Sequence, residues 1–103
     1  MNKRLELHDL LVKALGSNNV YFQPPSTVQM KYPCIVYGRG EINFLTGYAN
    51  GKIYKFEKAY YVTVIDPNPD SLVLDKILDI PYSRHERHFT HDNLNHDVFR
   101  IYY

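Results

Sequence analysis

The chain has 103 residues, 45% hydrophobic and 22% charged, a globular composition that fills one domain, here 1–103, and excludes intrinsic disorder. Twelve Lys and Arg face eleven Asp and Glu, with the signs interleaved, so no basic run marks a nucleic-acid or membrane footprint. The lone cysteine, Cys34, excludes an internal disulfide and fits folding in a reducing compartment. Met1-Asn2-Lys3-Arg4-Leu5-Glu6 lacks the apolar stretch of a signal peptide, and no later run is long enough to span a bilayer. A soluble protein made inside a cell, with no membrane partner, is expected. Ten Tyr, five Phe and no Trp are present; tyrosine suits strands, and it also suits surfaces buried on assembly.

Residues 3–15 predict an amphipathic helix, with Leu7, Leu10, Leu11, Ala14 and Leu15 at three- and four-residue spacing and Gly16 as its left-handed cap. Val20-Tyr21-Phe22 reads as a short extended piece ended by Pro24-Pro25. Pro33-Cys34-Ile35-Val36-Tyr37 reads as a strand covered on both faces. The polar stretch 46–51 reads as the tip of a long hairpin spanning 33–65. In its return strand Tyr54, Phe56, Tyr60, Val62 and Val64 alternate onto one face, interrupted by Lys58, with Lys55, Glu57, Tyr61 and Thr63 on the other. Asp66-Pro67-Asn68-Pro69-Asp70 stops that strand, and Asp70 or Ser71 is placed to cap a helix over 71–79, with Leu74, Ile77 and Leu78 inward and Pro81 beyond it. Strands over 83–89 and 96–102 follow, joined by the turn Thr90-His91-Asp92-Asn93. The order helix, hairpin, helix, hairpin predicts an α+β domain: a single mostly antiparallel sheet built from two hairpins, with two helices packed against it.

The candidate chemistry is thin. His85, His88 and His91 stand three apart with His96 and Asp97 nearby, but in a strand positions 85 and 88 point to opposite faces, and the spacing is not that of a zinc site. Cys34 lies in an apolar strand, where burial makes a thiol inert. Asp66 and Asp70 read as turn residues. No phosphate loop, nucleophile elbow or metalloprotease motif is present. The sequence thus predicts no enzyme, no cofactor and no metal site. Lys52, Lys55 and Lys58 among tyrosines leave a small nucleic-acid-binding module as one alternative. The hairpin tip is the candidate for subunit contact, with Tyr48, Asn50 and Gly51 named for it, because it is polar, projecting and not explained by a core.

Four segments carry a family resemblance: Met30-Lys31-Tyr32-Pro33-Cys34-Ile35-Val36-Tyr37, Tyr60-Tyr61-Val62-Thr63-Val64-Ile65-Asp66, Pro69-Asp70-Ser71, and Asp92-Asn93-Leu94-Asn95-His96-Asp97-Val98-Phe99. Together they resemble siphovirus tail terminators, also called tail completion or tail-to-head joining proteins. The resemblance covers most of the chain and is weakest over 40–52. It implies an α+β subunit that forms a six-fold ring on the last ring of major tail protein, stops tube growth and docks to the head–tail connector or head completion protein. The expected partners are thus further copies of the chain, the tube and the connector, with genomic DNA passing through the ring without specific binding. The expected location is the neck of the virion, after assembly in the host cytoplasm. The family has no catalytic residues to carry over. Within the same class, a head completion or stopper protein is the alternative. The Asn-Leu-Asn-His-Asp segment is expected to act as a turn that fixes the register of the last hairpin through Asx contacts.

Overall fold

Leu7, Leu11 and Ala14 form a single buried stripe on α1 (Lys3–Leu15), where the three- and four-residue spacing predicts it. The computed structural model describes residues 3–40, 47–49, 52–55 and 59–103. Gly16 follows α1 with φ +81°, a conformation that costs glycine nothing, and its N–H bonds Val12 O at 2.8 Å.

The strands are β1 (Val20–Phe22), β2 (Cys34–Arg39), β3 (Gly47–Ala49), β4 (Lys52–Lys55), β5 (Ala59–Asp66), β6 (Ser83–His91) and β7 (Leu94–Tyr102); the second helix, α2 (Val73–Leu78), lies between β5 and β6. Five strands make one sheet in the order β1-β2-β5-β7-β6, while β3 and β4 pair only with each other. The α+β class predicted from the sequence is the one observed, but the sheet is mixed. Val20 pairs with Ile35 in parallel, so β1 becomes an edge strand of the sheet. The long 33–65 hairpin is divided: β2 pairs antiparallel with β5, and β3–β4 forms a separate two-stranded ribbon. Phe56, Glu57 and Lys58 of the expected return strand lie outside the described residues.

Alternation along each strand decides which side chains meet the helices. Val20, Ile35, Tyr37, Tyr60, Val62, Val64, Phe99 and Ile101 share one face, and α1 and α2 cover it with Leu7, Leu11, Ala14 and Ile77. Burying each of these large side chains contributes about 1.5–3 kcal/mol relative to exposure. The Tyr37 ring sits inside this core against Phe22 at 4.9 Å, and its hydroxyl is 2.7 Å from His8 Nδ1. That contact satisfies a buried polar tip. Burial raises the Tyr37 pKa, with Arg4 pulling it the other way.

Helix α2 is shorter than the predicted 71–79. Ile77 is buried and Leu74 half-buried as expected, but Leu78 is 49% exposed. So short a helix presents one narrow stripe to the sheet, and Ile77 takes it. Neither Asp70 nor Ser71 is the N-cap: Leu72 holds that position without a side-chain cap bond, and Ser71, one residue earlier, accepts the Val73 N–H through Oγ at 3.3 Å. At the far end Ser83 Oγ donates to Ile80 O at 2.7 Å, which fastens the chain leaving α2 to the start of β6.

The last hairpin is tighter than predicted. Its loop is Asp92 and Asn93 alone, with φ of 53° and 61°, as a two-residue turn matching the strand twist requires. Leu94 to Asp97 is therefore strand rather than turn, and Asn95 reaches across to the carbonyls of Asp66 and Pro67, both at 3.2 Å.

Phe99 lies at the middle of the helix-covered face and is fully buried. Phe99→Ala is expected to cost about 3–5 kcal/mol of stability, read as a lower urea midpoint with an unchanged denaturant slope.

Candidate interaction face

The opposite face of the sheet carries no helix among the described residues. Register places Cys34, Ile65 and His96 in one row across it, Val36, Thr63 and Val98 in the next, and Gly38, Tyr61 and Arg100 in a third. The edge strand β6 completes these rows after an irregularity. His85 pairs with Phe99 and Arg87 with Val98, so Glu86 is an extra residue. A β-bulge of this kind places two successive residues on one side, and Glu86 and Arg87 both line the open face.

The result is a groove of about 440 Å³ lined by Tyr61, Thr63, Glu86, Arg87, Phe89, Val98 and Arg100. Arg100 is the fixed point of it. Its Nη2 donates to the Tyr61 hydroxyl and its Nη1 to the Tyr102 hydroxyl, and the guanidinium lies 5.1 Å from the Tyr61 ring centre. Its Nε is buried without a hydrogen-bond partner, although the Glu86 carboxylate is 3.4 Å away. That approach is close enough for charge attraction but wrongly angled for a bond. Arg84 Nε holds the same Glu86 oxygen at 3.3 Å. Arg87 lies over the Phe89 ring at 5.6 Å, and Phe89 stacks on His96 at 4.7 Å. Three arginines against one glutamate, set among aromatic rings, make the face cationic and amphipathic.

The bulge also corrects the reading of the histidines. His85 and His88 do not point to opposite faces, because the extra residue shifts the alternation between them. Both approach Asp97 Oδ1, His85 through Nε2 at 3.1 Å and His88 through Nδ1 at 2.8 Å. Asp97 is 7% exposed and is a buried charged residue on the helix-covered side. Two ring contacts satisfy an acceptor whose burial would otherwise be costly. Among the described residues, no group of three or more His, Cys, Asp and Glu is arranged to hold a metal ion.

Among the residues expected to make subunit contacts, Tyr48 lies on β3 in register with Ile53; Asn50 and Gly51 lie outside the described residues. The alternation that assigns Tyr61 and Thr63 to the outer face was visible in the sequence. The assembly of Glu86, Arg87 and Arg100 was not, because it depends on the bulge. Asp66 and Asn68 form successive Asx turns: Asp66 Oδ1 accepts the Asn68 N–H at 2.8 Å, and Asn68 Oδ1 accepts the Asp70 N–H at 3.0 Å, so Asp70 closes the second turn through its backbone. Among the described residues no helix is long and apolar enough to cross a membrane.

The fold is a two-layer α+β domain, with one layer of helices and, among the described residues, no helix over the second sheet face. Comparison with protein-family models, curated proteins and solved structures found no match.

Cys34 is fully buried in the outermost of these rows, and burial pushes its thiol up to about 11. At pH 8 the native chain is expected to resist a thiol reagent and to react only when unfolded. Because the folded pKa is raised, the stability contributed by the protonated thiol is complete below its ordinary value of 9 and declines as pH rises towards 11. Asp97→Ala leaves two histidines without their shared acceptor, and a loss of about 1–3 kcal/mol is expected in chemical denaturation.

Proposed function

We propose that this chain is a structural subunit of a siphovirus tail, a tail terminator that caps the tail tube as a ring and joins it to the head connector. The observation that supports this reading best is the open sheet face, where Tyr61, Phe89, Arg87 and Arg100 surround a groove that no part of the described chain fills. Tyrosine, phenylalanine and arginine are enriched where proteins meet, because they combine apolar area with polar tips. The four-segment resemblance supplies the identity of the assembly, and a ring made of successive different patches suits a monomer whose two sheet faces differ this strongly. Function here is binding: ring closure, capping of the tube, then docking to the head. The β3–β4 ribbon adds to the case, since an isolated two-stranded ribbon is marginal in water and gains from a neighbour.

A second reading, a small nucleic-acid-binding module, draws on the same cationic and aromatic groove. It predicts DNA affinity that falls steeply with added salt. A head completion protein would sediment with portal-bearing heads instead of tails.

Negative-stain microscopy of the purified protein mixed with tail tubes separates these readings. Rings at one tube end, with growth stopped, are expected. Tubes that stay bare and keep growing would overturn the terminator reading.

A further inference from the structure

We infer that the open-face groove of one copy receives the loop 66–72 of the next copy, with Asp70 set against Arg87 and Leu72 seated among Tyr61, Val98 and Phe89. The inference rests on the ring reading and names the contact that would build it.

The charges of the two surfaces are complementary. The groove and its rim carry Arg84, Arg87 and Arg100 against Glu86, whereas residues 66–79 carry Asp66, Asp70, Asp75 and Asp79 against Lys76. Glu86 is already held by Arg84 and Arg100, which leaves Arg87 without a carboxylate partner among the described residues. Asp70, likewise, has no cationic partner among them, and residues 67–70 are exposed. Leu72 is 74% exposed, the most exposed of the large hydrophobic residues described. A groove of about 440 Å³ is in the range that takes several side chains.

The loop is also stiff. Pro67 and Pro69 fix two φ angles, two Asx turns lock the backbone between Asp66 and Asp70, and Asn95 clamps the carbonyls of Asp66 and Pro67. A segment already in one shape loses little freedom on docking. The loop leads from β5 to α2, on the helix side of the sheet, whereas the groove lies on the other side. One copy therefore cannot fill its own groove in this way, and two copies cannot exchange loops through a single patch. The contact is heterologous, and repeated contacts of that kind close into a ring when the rotation permits.

Arg87→Glu and Asp70→Lys test it, both at exposed positions that the core does not use. In sedimentation velocity each variant alone is expected to lose at least about ten-fold in self-association, because like charges now face each other. A one-to-one mixture is expected to recover assembly: Glu at 87 meets Lys at 70 at one contact, and native Arg87 meets native Asp70 at the next. Single variants that assemble like the wild type, or a mixture that recovers nothing, would overturn the contact. If such variants still cap tail tubes as rings, the contact fails while the terminator reading stands. A wild-type chain that neither self-associates nor caps tubes overturns both. Salt-sensitive binding of a DNA oligonucleotide, lost in Arg87→Glu and unaccompanied by self-association, would assign the groove to nucleic acid and overturn the contact too.

Discussion

The two helices of the described residues cover only one face of the five-stranded sheet, and that limit organises the rest of the molecule. On the covered face, strand alternation selects aliphatic and aromatic side chains, from Ile35 through Val62 to Phe99. On the other face the same strands must present something water tolerates. Around the groove stand amphipathic side chains: Tyr61 and Arg100, joined by a hydrogen bond, line it together with Val98 and Thr63. Val98 is buried there even though, among the described residues, no helix lies on this face. The open face is therefore a built surface, with a fixed Arg100 and a shaped groove, rather than a loose polar skin.

One residue creates much of this chemistry. Without the bulge at Glu86, strict alternation along β6 would separate Glu86 from Arg87 and His85 from His88. With it, Glu86 and Arg87 join the open face, and the two histidines meet Asp97 on the covered face. The bulge has another consequence. β6 is an outer edge of the sheet, and a bulge with charged neighbours discourages indiscriminate pairing along such an edge. That disfavours growth of the sheet by strand addition at β6. It leaves the broad face as the better surface for a specific neighbour.

The helix of residues 3–15 and the inward set Tyr60, Val62 and Val64 were legible in the sequence because burial alone decides them. Leu7 and Leu11 fall one turn apart on the helix, and the β5 residues alternate without a break. The parallel pairing of β1 was not legible. Val20-Tyr21-Phe22 is too short to reveal its partner, and the partner is set by where residues 23–33 return the chain. Leu78 was misplaced because a helix of one and a half turns buries fewer positions than its apolar count suggests. The bulge leaves no mark in the sequence, because His85-Glu86-Arg87-His88 is polar throughout and no hydrophobic pattern is interrupted by the extra residue. In sequence Asn95 has the look of a local turn former, whereas its amide ties two distant parts of the chain together.

If the chain forms the ring proposed above, that tie bears on its assembly. Strand β7 carries Asn95 near one end and Val98 and Arg100 further along, so the same rigid strand clamps the acidic loop and floors the groove. Between positions 95 and 100 the strand covers roughly 17 Å at about 3.4 Å per residue, and β5 and β6 brace it on both sides. Loop and groove are thus held at a fixed distance and angle within each copy. A closed ring needs such a relation, because small errors in the angle between successive copies accumulate around the circle and turn closure into an open spiral. A flexible loop could supply affinity without setting that angle. The clamped, proline-stiffened loop of this chain would supply both, and the number of copies in the ring would then follow from the geometry of β7 and its neighbours.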